Sequence, residues 1–222
     1  MSRFLRILAN GSSEFLTSIS SAVMGLMLNF FLLKYGGTSA VAAFAIVMYV
    51  DSIIGMLNFG LCDSLQPALS YCHGAGAKAR LKAIFRCILW ASFVMAVAAF
   101  LFMELAGSYM AGLFSQNEGG ELMQFSKDAL TIFAFSYLAG WMDLCFSSYF
   151  TALDMPGRSL LLSFVGTLVL PAALLFLLAP TYGLLGIWLM PPIASLFSGI
   201  LALFLYRNSQ SDLTRKLLIS HS

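Results

Sequence analysis

The chain has 222 residues, of which 60% are hydrophobic and only 10% are charged, whereas soluble domains carry about 25% charged residues. So few charges cannot cover a soluble fold of this size, and the composition therefore predicts a membrane protein. A net charge of only +2 gives no field for capturing nucleic acid, so we expect no nucleic-acid partner. The four cysteines and two histidines show no metal-ligand spacing, and no metal site is predicted.

Six charge-poor segments have about the 20 residues that a helix needs to cross about 30 Å of hydrocarbon. They cover residues of about 15–33, 41–66, 87–103, 129–153, 160–178 and 183–206. Turn signals at 154–157 and 180–183 separate the last three segments. The sequence thus predicts an all-α, polytopic membrane protein with a six-helix transmembrane bundle over residues 1–206 and a cytoplasmic tail over residues 207–222.

The basic residues predict the orientation of this bundle, because positively charged loops stay on the cytoplasmic side. With both ends inside, only Lys34 and Lys127 of the twelve Lys and Arg residues lie outside. We therefore expect a multi-pass protein of the plasma (inner) membrane, surrounded by membrane lipid, with both termini cytoplasmic.

Polar and small residues recur every three or four positions in three of the predicted spans, which places them on one face of each helix. The first span carries Glu14, Thr17, Ser21, Gly25 and Asn29; the second carries Asp51, Gly55, Asn58, Cys62 and Gln66; the fourth carries Ser136, Gly140, Asp143 and Ser147. Such stripes also occur at plain helix contacts, because small residues let backbones approach and hydroxyls bond across helices.

The carboxylates favour a functional interpretation of two stripes, because a charge inside a bilayer costs roughly 2.5 to 3.5 kcal/mol on insertion scales. Asp143 and Asp51 are the strongest candidates. Glu14 is also explained by a favourable contact with a helix N-terminus, and Asp63 is expected near the membrane interface. The candidate substrate- or cation-binding residues are Asp143, Asp51, Glu14, Asn29, Asn58 and Gln66.

The last two spans contain prolines near their centres, Pro171 in one and Pro191-Pro192 in the other. A proline removes a backbone hydrogen bond and kinks a helix. The kinks are either hinges of a moving protein or static bends.

We find no catalytic motif: HExxH, GxSxG and a Walker A sequence are all missing from the chain. The sequence therefore predicts that the chain is not an enzyme and has no cofactor. Uphill transport without a nucleotide site would have to use a gradient of Na⁺ or H⁺, which buried carboxylates can sense.

Several segments resemble the second half of transporters of the multidrug and toxic compound extrusion (MATE) family, especially the MepA-like branch. The segments are residues 10–16 (NGSSEFL), Asn29, residues 60–71 (GLCDSLQPALSY), 74–76 (GAG), 151–153 (TAL) and 183–188 (GLLGIW), and the resemblance extends over nearly the whole chain. The resemblance implies the C-terminal six-helix half of a two-lobe exporter, which exchanges drugs for Na⁺ or H⁺. In NorM-like members an acid on the fourth helix of this lobe takes part in cation binding, and Asp143 lies at the matching distance before Ala152.

The resemblance also implies partners: small, cationic or amphipathic substrates, and a second six-helix half or a second copy of this chain. Two alternatives remain open. The first is a lipid-linked saccharide flippase of the same superfamily, which would be expected to line its cavity with cationic residues. The second is an inactive remnant of a truncated transporter.

Overall fold

The computed structural model describes the backbone of residues 2–114 and 120–220, and the side chains of residues 15–105, 107, 109 and 121–209. All regular structure in these ranges is helical, as the sequence predicts. The elements are α1 (Ser2–Gly74), α2 (Lys78–Phe114), α3 (Gly120–Ala134), α4 (Tyr137–Ala152), α5 (Pro156–Phe164), a π-helical turn (Val165–Val169), α6 (Leu170–Tyr182) and α7 (Leu184–Ser220).

Helix α1 is broken at Gly37, where φ is 66° and ψ is −161°. Glycine adopts this left-handed backbone without the steric penalty of a β-carbon. The break divides α1 into a first arm (residues 2–36) and a second arm (residues 38–74). The predicted spans 15–33 and 41–66 fall one on each arm.

The predicted fourth span, residues 129–153, is not one straight helix. Helices α3 and α4 meet at an angle of 53°. At the bend the amide of Ser136 donates to the Phe133 carbonyl at 2.8 Å, and the Ser136 hydroxyl donates to the same oxygen at 2.6 Å. A serine that bonds back to the preceding turn competes with the regular helical pattern and bends the helix.

The predicted fifth span, residues 160–178, consists of α5, the π-helical turn and α6. Pro171 is the second residue after the π-helical turn, and its missing amide cannot continue the regular pattern of hydrogen bonds. In contrast, α7 passes through Pro191 and Pro192 as one helix and continues to Ser220, beyond the predicted boundary at residue 206.

Two hydrophobic clusters occupy opposite ends of the bundle. The Trp188 cluster comprises buried residues from 24–50, 103–134 and 175–194. The Tyr149 cluster comprises buried residues from 62–88, from 145–162, and Ala202. In the Tyr149 cluster the rings of Phe85, Phe146, Tyr149 and Tyr206 pack with centroids 4.2 to 5.6 Å apart.

The chain alternates between these two clusters, which defines how many times it traverses the bundle. Between its first buried residues in the Trp188 cluster and Ala202 in the Tyr149 cluster, the chain passes from one cluster to the other five times. The first arm of α1 adds one traverse, because Thr17 lies beside Asp63 and Ser148 at one end whereas Leu32 lies in the Trp188 cluster. The described part of the chain therefore forms a bundle of six traverses.

Four helices of the described residues are apolar and long enough to cross a membrane, and the bent pair α3–α4 would add a fifth. The first of the four, Phe15–Gly74, has 60 residues and would measure about 90 Å if straight, so its two arms are each long enough for one crossing. Large apolar side chains such as Leu26, Met56 and Leu105 are more than 70% exposed, as expected for a surface that contacts lipid. The chain is a multi-pass membrane protein; the division into six crossings stays a prediction.

The second arm of α1 and α4 run parallel and are joined by hydrogen bonds along their length. The Tyr137 hydroxyl donates to Asp51 Oδ1 at 2.8 Å, and the Ser148 hydroxyl donates to Asp63 Oδ1 at 3.3 Å. Further along, the Ser70 hydroxyl donates to the Ala152 carbonyl at 3.0 Å. These bonds fix the register of the two helices.

We expect Tyr137→Phe to lower the free energy of unfolding by about 1 to 3 kcal/mol, because it removes a bond to a carboxylate that is half-buried between helices. Tyr182→Phe is the matched control, since Tyr182 is 62% exposed. The midpoint of thermal unfolding in detergent measures the effect. Equal midpoints for the two variants would contradict the structural role of the Tyr137–Asp51 bond.

Helices α6 and α7 contact each other closely at Gly186, where an added β-carbon would overlap the carbonyl of Leu178. We expect Gly186→Ala to destabilise the fold by about 1 to 3 kcal/mol through overpacking. At Gly60 an added β-carbon would meet no atom within 4 Å, so Gly60→Ala should be neutral or slightly stabilising. Thermal unfolding midpoints compare the two, and a Gly186→Ala protein as stable as the Gly60→Ala protein would show that this contact is unimportant.

Candidate functional site

Two cavities that share Asp143 lie between helices in the described part of the chain. The first has a volume of about 470 Å³ and is lined mainly by apolar side chains, among them Phe44, Trp141 and Met190, near the Trp188 cluster. The second has a volume of about 560 Å³ and is lined mainly by polar side chains of the first arm, the second arm, α4 and α5. The two cavities therefore differ in polarity although they are neighbours.

Asp143 on α4 contributes to the walls of both cavities, as do Gly140, Leu144 and Thr167. Its carboxylate thus lies at the boundary between the apolar and the polar cavity. The stripe predicted on the fourth span explains this position, because Ser136, Gly140, Asp143 and Ser147 all line one cavity or the other. The helical spacing of these four residues in the sequence therefore identifies the face of α4 that lines the cavities.

The carboxylate of Asp143 is incompletely satisfied by the described residues. Its Oδ1 atom is buried and has no hydrogen-bond partner among them, and the same is true of Ser198 Oγ on α7 and Asn58 Oδ1 on the second arm. Buried polar atoms are nearly always hydrogen-bonded, so an exception calls for an explanation such as a functional role. Asp143, Asn58 and Ser198 all line the first cavity, so three of the five such atoms among the described residues share one environment, whereas Glu104 Oε1 and Ser126 Oγ lie outside it.

The π-helical turn brings the backbone of α5 and α6 close to this carboxylate. A β-carbon on Gly166 would lie 3.0 Å from Asp143 Oδ2 and 2.6 Å from Ser198 Oγ. Only glycine at this position leaves the space beside the two oxygens open. Short π-helical segments are rare and often occur at functional sites, and here the segment contributes Gly166 and Thr167 to the first cavity.

Asp51 differs from Asp143 because it has a strong partner. The Tyr137 hydroxyl bond described above satisfies one of its oxygens, although Asp51 also lines the first cavity. This bond links two helices and therefore supports the structural interpretation of Asp51 alongside the functional one.

Hydroxyl groups dominate the second cavity. Ser147 contacts Ser159 at 2.9 Å and Ser163 at 3.0 Å, and Thr151 contacts Ser159 at 2.9 Å. Gln66 and Asp63 complete the wall from the second arm. The four connected hydroxyl groups join α4 to α5, and they can bind polar groups without carrying a charge of their own.

The predicted candidate residues differ in whether they line one of the two cavities. Asp51, Asn58 and Asp143 line the first cavity, and Asp143 and Gln66 line the second. Asn29 lines neither of these cavities: it is exposed, and its side-chain amide donates to the Gly25 carbonyl of its own helix at 3.1 Å. The side chain of Glu14 lies outside the described residues. Asp63, which we expected at the membrane interface, lines the second cavity.

Sequence periodicity missed Tyr137, Ser198 and the 166–167 pair. Tyr137 adjoins the predicted stripe but bonds to a residue 86 positions away, and such a contact leaves no trace in local spacing. Thr167 continues a four-residue spacing with Ser159 and Ser163, and Ser198 follows Ser195 by three residues, so a helical spacing was present at both positions. The proximity of Thr167 to Pro171 was a second signal, since a helix often distorts before a proline.

Comparisons with known proteins give a consistent result. The chain is 26% identical over 178 residues to the multidrug export protein MepA of Staphylococcus aureus, a match that covers 80% of this chain and 38% of that protein. It superimposes with a TM-score of 0.89 and 20% identity on an outward-facing multidrug resistance MATE family transporter of the MOP superfamily, covering 97% of this chain and 48% of that one.

A second structural match is a MOP superfamily transporter from Pyrococcus furiosus, with a TM-score of 0.89, 19% identity, and coverage of 96% of this chain and 48% of that one. These similarities show that the fold is that of one part of a larger transporter. The chain spans less than half the length of each of these relatives.

The MatE family model matches residues 15–177, which is most of the chain and includes Asp51, Asn58 and Asp143. The predicted resemblance is thereby confirmed, and the expectation that the chain is not an enzyme agrees with a family whose matched relatives are named as export proteins. The chain belongs to the MatE family of membrane transporters.

Proposed function

We propose that this chain is one lobe of a multidrug efflux transporter that exchanges organic cations for Na⁺ or H⁺. The observation that carries the proposal is the position of Asp143, whose carboxylate lies between an apolar and a polar cavity with Oδ1 buried and without a hydrogen-bond partner among the described residues. Such a group can bind either a coupling ion or a cationic substrate, and competition between the two would couple their movements.

The charge of the cavities supports a cationic or amphipathic substrate. Asp51, Asp63 and Asp143 contribute carboxylates to the walls, and no Lys or Arg occurs among the described residues that line the two cavities. The first cavity adds apolar and aromatic side chains that suit the body of an organic molecule. A flippase that holds a pyrophosphate group would need the opposite charge, so the cavities disfavour that alternative.

The coverage of the relatives supports a second lobe. The match covers 38% of the S. aureus protein and under half of the transporter structures, so a transporter of their size contains a second part of similar length. A second six-helix polypeptide or a second copy of this chain would supply it. We place the complex in the cell membrane, with six crossings in this lobe and both of its ends cytoplasmic, as the basic residues predict.

We expect Asp143→Asn to reduce dye efflux at least tenfold, because the amide keeps the size of the side chain but removes the charge that the coupling ion binds. The measurement is efflux of a fluorescent organic cation from cells that lack their own exporters, with the chain expressed alone and together with a second lobe. The rate should depend on a Na⁺ or H⁺ gradient in the unmutated protein and lose that dependence in the variant.

Asp154→Asn is the matched control. Asp154 is exposed in the turn between α4 and α5, with φ of 57°, a conformation that asparagine tolerates. The efflux rate of the Asp154→Asn protein should stay within about twofold of the rate of the unmutated protein, at equal amounts of protein in the membrane. No efflux in any pairing despite normal insertion would favour an inactive remnant, and equal rates for the two variants would refute the role of Asp143.

A further inference from the structure

Cys62 and Cys145 form a pair of thiols that the transport site does not use. Their sulfur atoms lie 3.2 Å apart, with Cys62 on the second arm of α1 and Cys145 on α4. Cys62 has 0% and Cys145 has 1% of its surface exposed. The other two cysteines differ, since Cys72 is buried elsewhere in the Tyr149 cluster and Cys87 is exposed.

The packing around the pair holds the two sulfurs in register. The Asp63–Ser148 bond lies one residue after Cys62 and three after Cys145, and the Tyr137–Asp51 and Ser70–Ala152 bonds fix the same two helices above and below. A disulfide has sulfurs about 2.05 Å apart, so the two atoms need to approach each other by only about 1.2 Å. Rotation of the side chains on fixed helices can supply most of this movement.

We propose that Cys62 and Cys145 are a modification site, at which a neutral hydroperoxide converts the two thiols into an intramolecular disulfide. One sulfur attacks the peroxide and becomes a sulfenic acid, releasing an alcohol or water. The second sulfur then displaces the hydroxyl group, which leaves as water with the thiol proton. Two thiols and one hydroperoxide thus give one disulfide, one alcohol and one water, and two electrons pass from the sulfurs to the oxygen–oxygen bond.

The surroundings of the pair match this chemistry. A buried site excludes charged thiol reductants such as glutathione, whereas a small or apolar hydroperoxide partitions into the membrane. Ser92 Oγ on α2 lies 3.6 Å from Cys62 Sγ, within reach to exchange a hydrogen bond as the thiol loses its proton. The bridge would fasten the second arm to α4 directly beside Asp63 and Leu144, which both line the second cavity.

The test counts thiols in the purified chain before and after treatment with cumene hydroperoxide. After removal of the oxidant, the protein is denatured in SDS and labelled with polyethylene glycol maleimide, which shifts the gel band once per free thiol. We expect four labels before treatment, two after it, and four again after reduction with a phosphine. The treated band should run as a single chain on a non-reducing gel.

Matched serine variants assign the lost thiols. Cys72→Ser and Cys87→Ser should each change from three labels to one, whereas Cys62→Ser and Cys145→Ser should keep three. Peptide mass spectrometry of the treated, unmutated chain gives an independent readout that does not depend on the folding of any variant, and it should find Cys62 and Cys145 linked, with two hydrogens lost. The proposal is overturned if the unmutated chain keeps four thiols, if the Cys62→Ser protein also loses them, or if the linked peptides contain Cys72 or Cys87.

Discussion

The packing of α4 against the second arm of α1 determines how Asp51, Asp63 and Asp143 lie relative to one another. Both helices begin near the Trp188 cluster and end in the Tyr149 cluster, and three hydrogen bonds hold them in register between those ends. Because the two helices run parallel, each successive turn of the second arm lies opposite the corresponding turn of α4. The carboxylates of Asp51 and Asp63 are bonded to α4 in this way, and Asp143 lies on α4 between their partners.

The contrast between Asp51 and Asp143 follows from this packing. Leaving a polar group buried without a partner costs roughly 1 to 3 kcal/mol in a protein interior, and more when it is charged. Asp51 avoids part of this cost through the Tyr137 hydroxyl. Asp143 Oδ1 has no such partner among the described residues, and Gly166 leaves space beside Oδ2 that a β-carbon would fill. A fold that tolerates this arrangement is suited to binding a cation there.

The sequence predicted the class of protein well, because membrane helices have a strong compositional signal. Gly37 and the 154–157 turn divide helices close to the predicted places, since backbone geometry at glycine and proline depends on local sequence. The 53° bend between α3 and α4 was missed because the segment is charge-poor and has polar residues at helical spacing, and such a pattern predicts that a helix forms but not that it stays straight.

The candidate site was only partly predictable for the same reason. A helical stripe located Asp143, Asn58 and Gln66, because residues that line a cavity repeat with the period of the helix. The same rule grouped Asn29 with them, although Asn29 is exposed and lines neither of these cavities, because an exposed face and a cavity-lining face can both be polar. Tyr137 reaches Asp51 through a contact between distant segments, and no spacing rule encodes that contact.

Asp143, and not the paired Asp51, is the carboxylate that we propose to exchange coupling ions. Infrared difference spectroscopy of the purified chain in lipid tests this proposal directly, by comparing the carboxyl absorption with and without Na⁺ and across a pH titration. We expect a cation- or pH-dependent carboxyl band that is lost in Asp143→Asn and kept in Asp51→Asn. A band that persists in Asp143→Asn and disappears in Asp51→Asn would contradict the account.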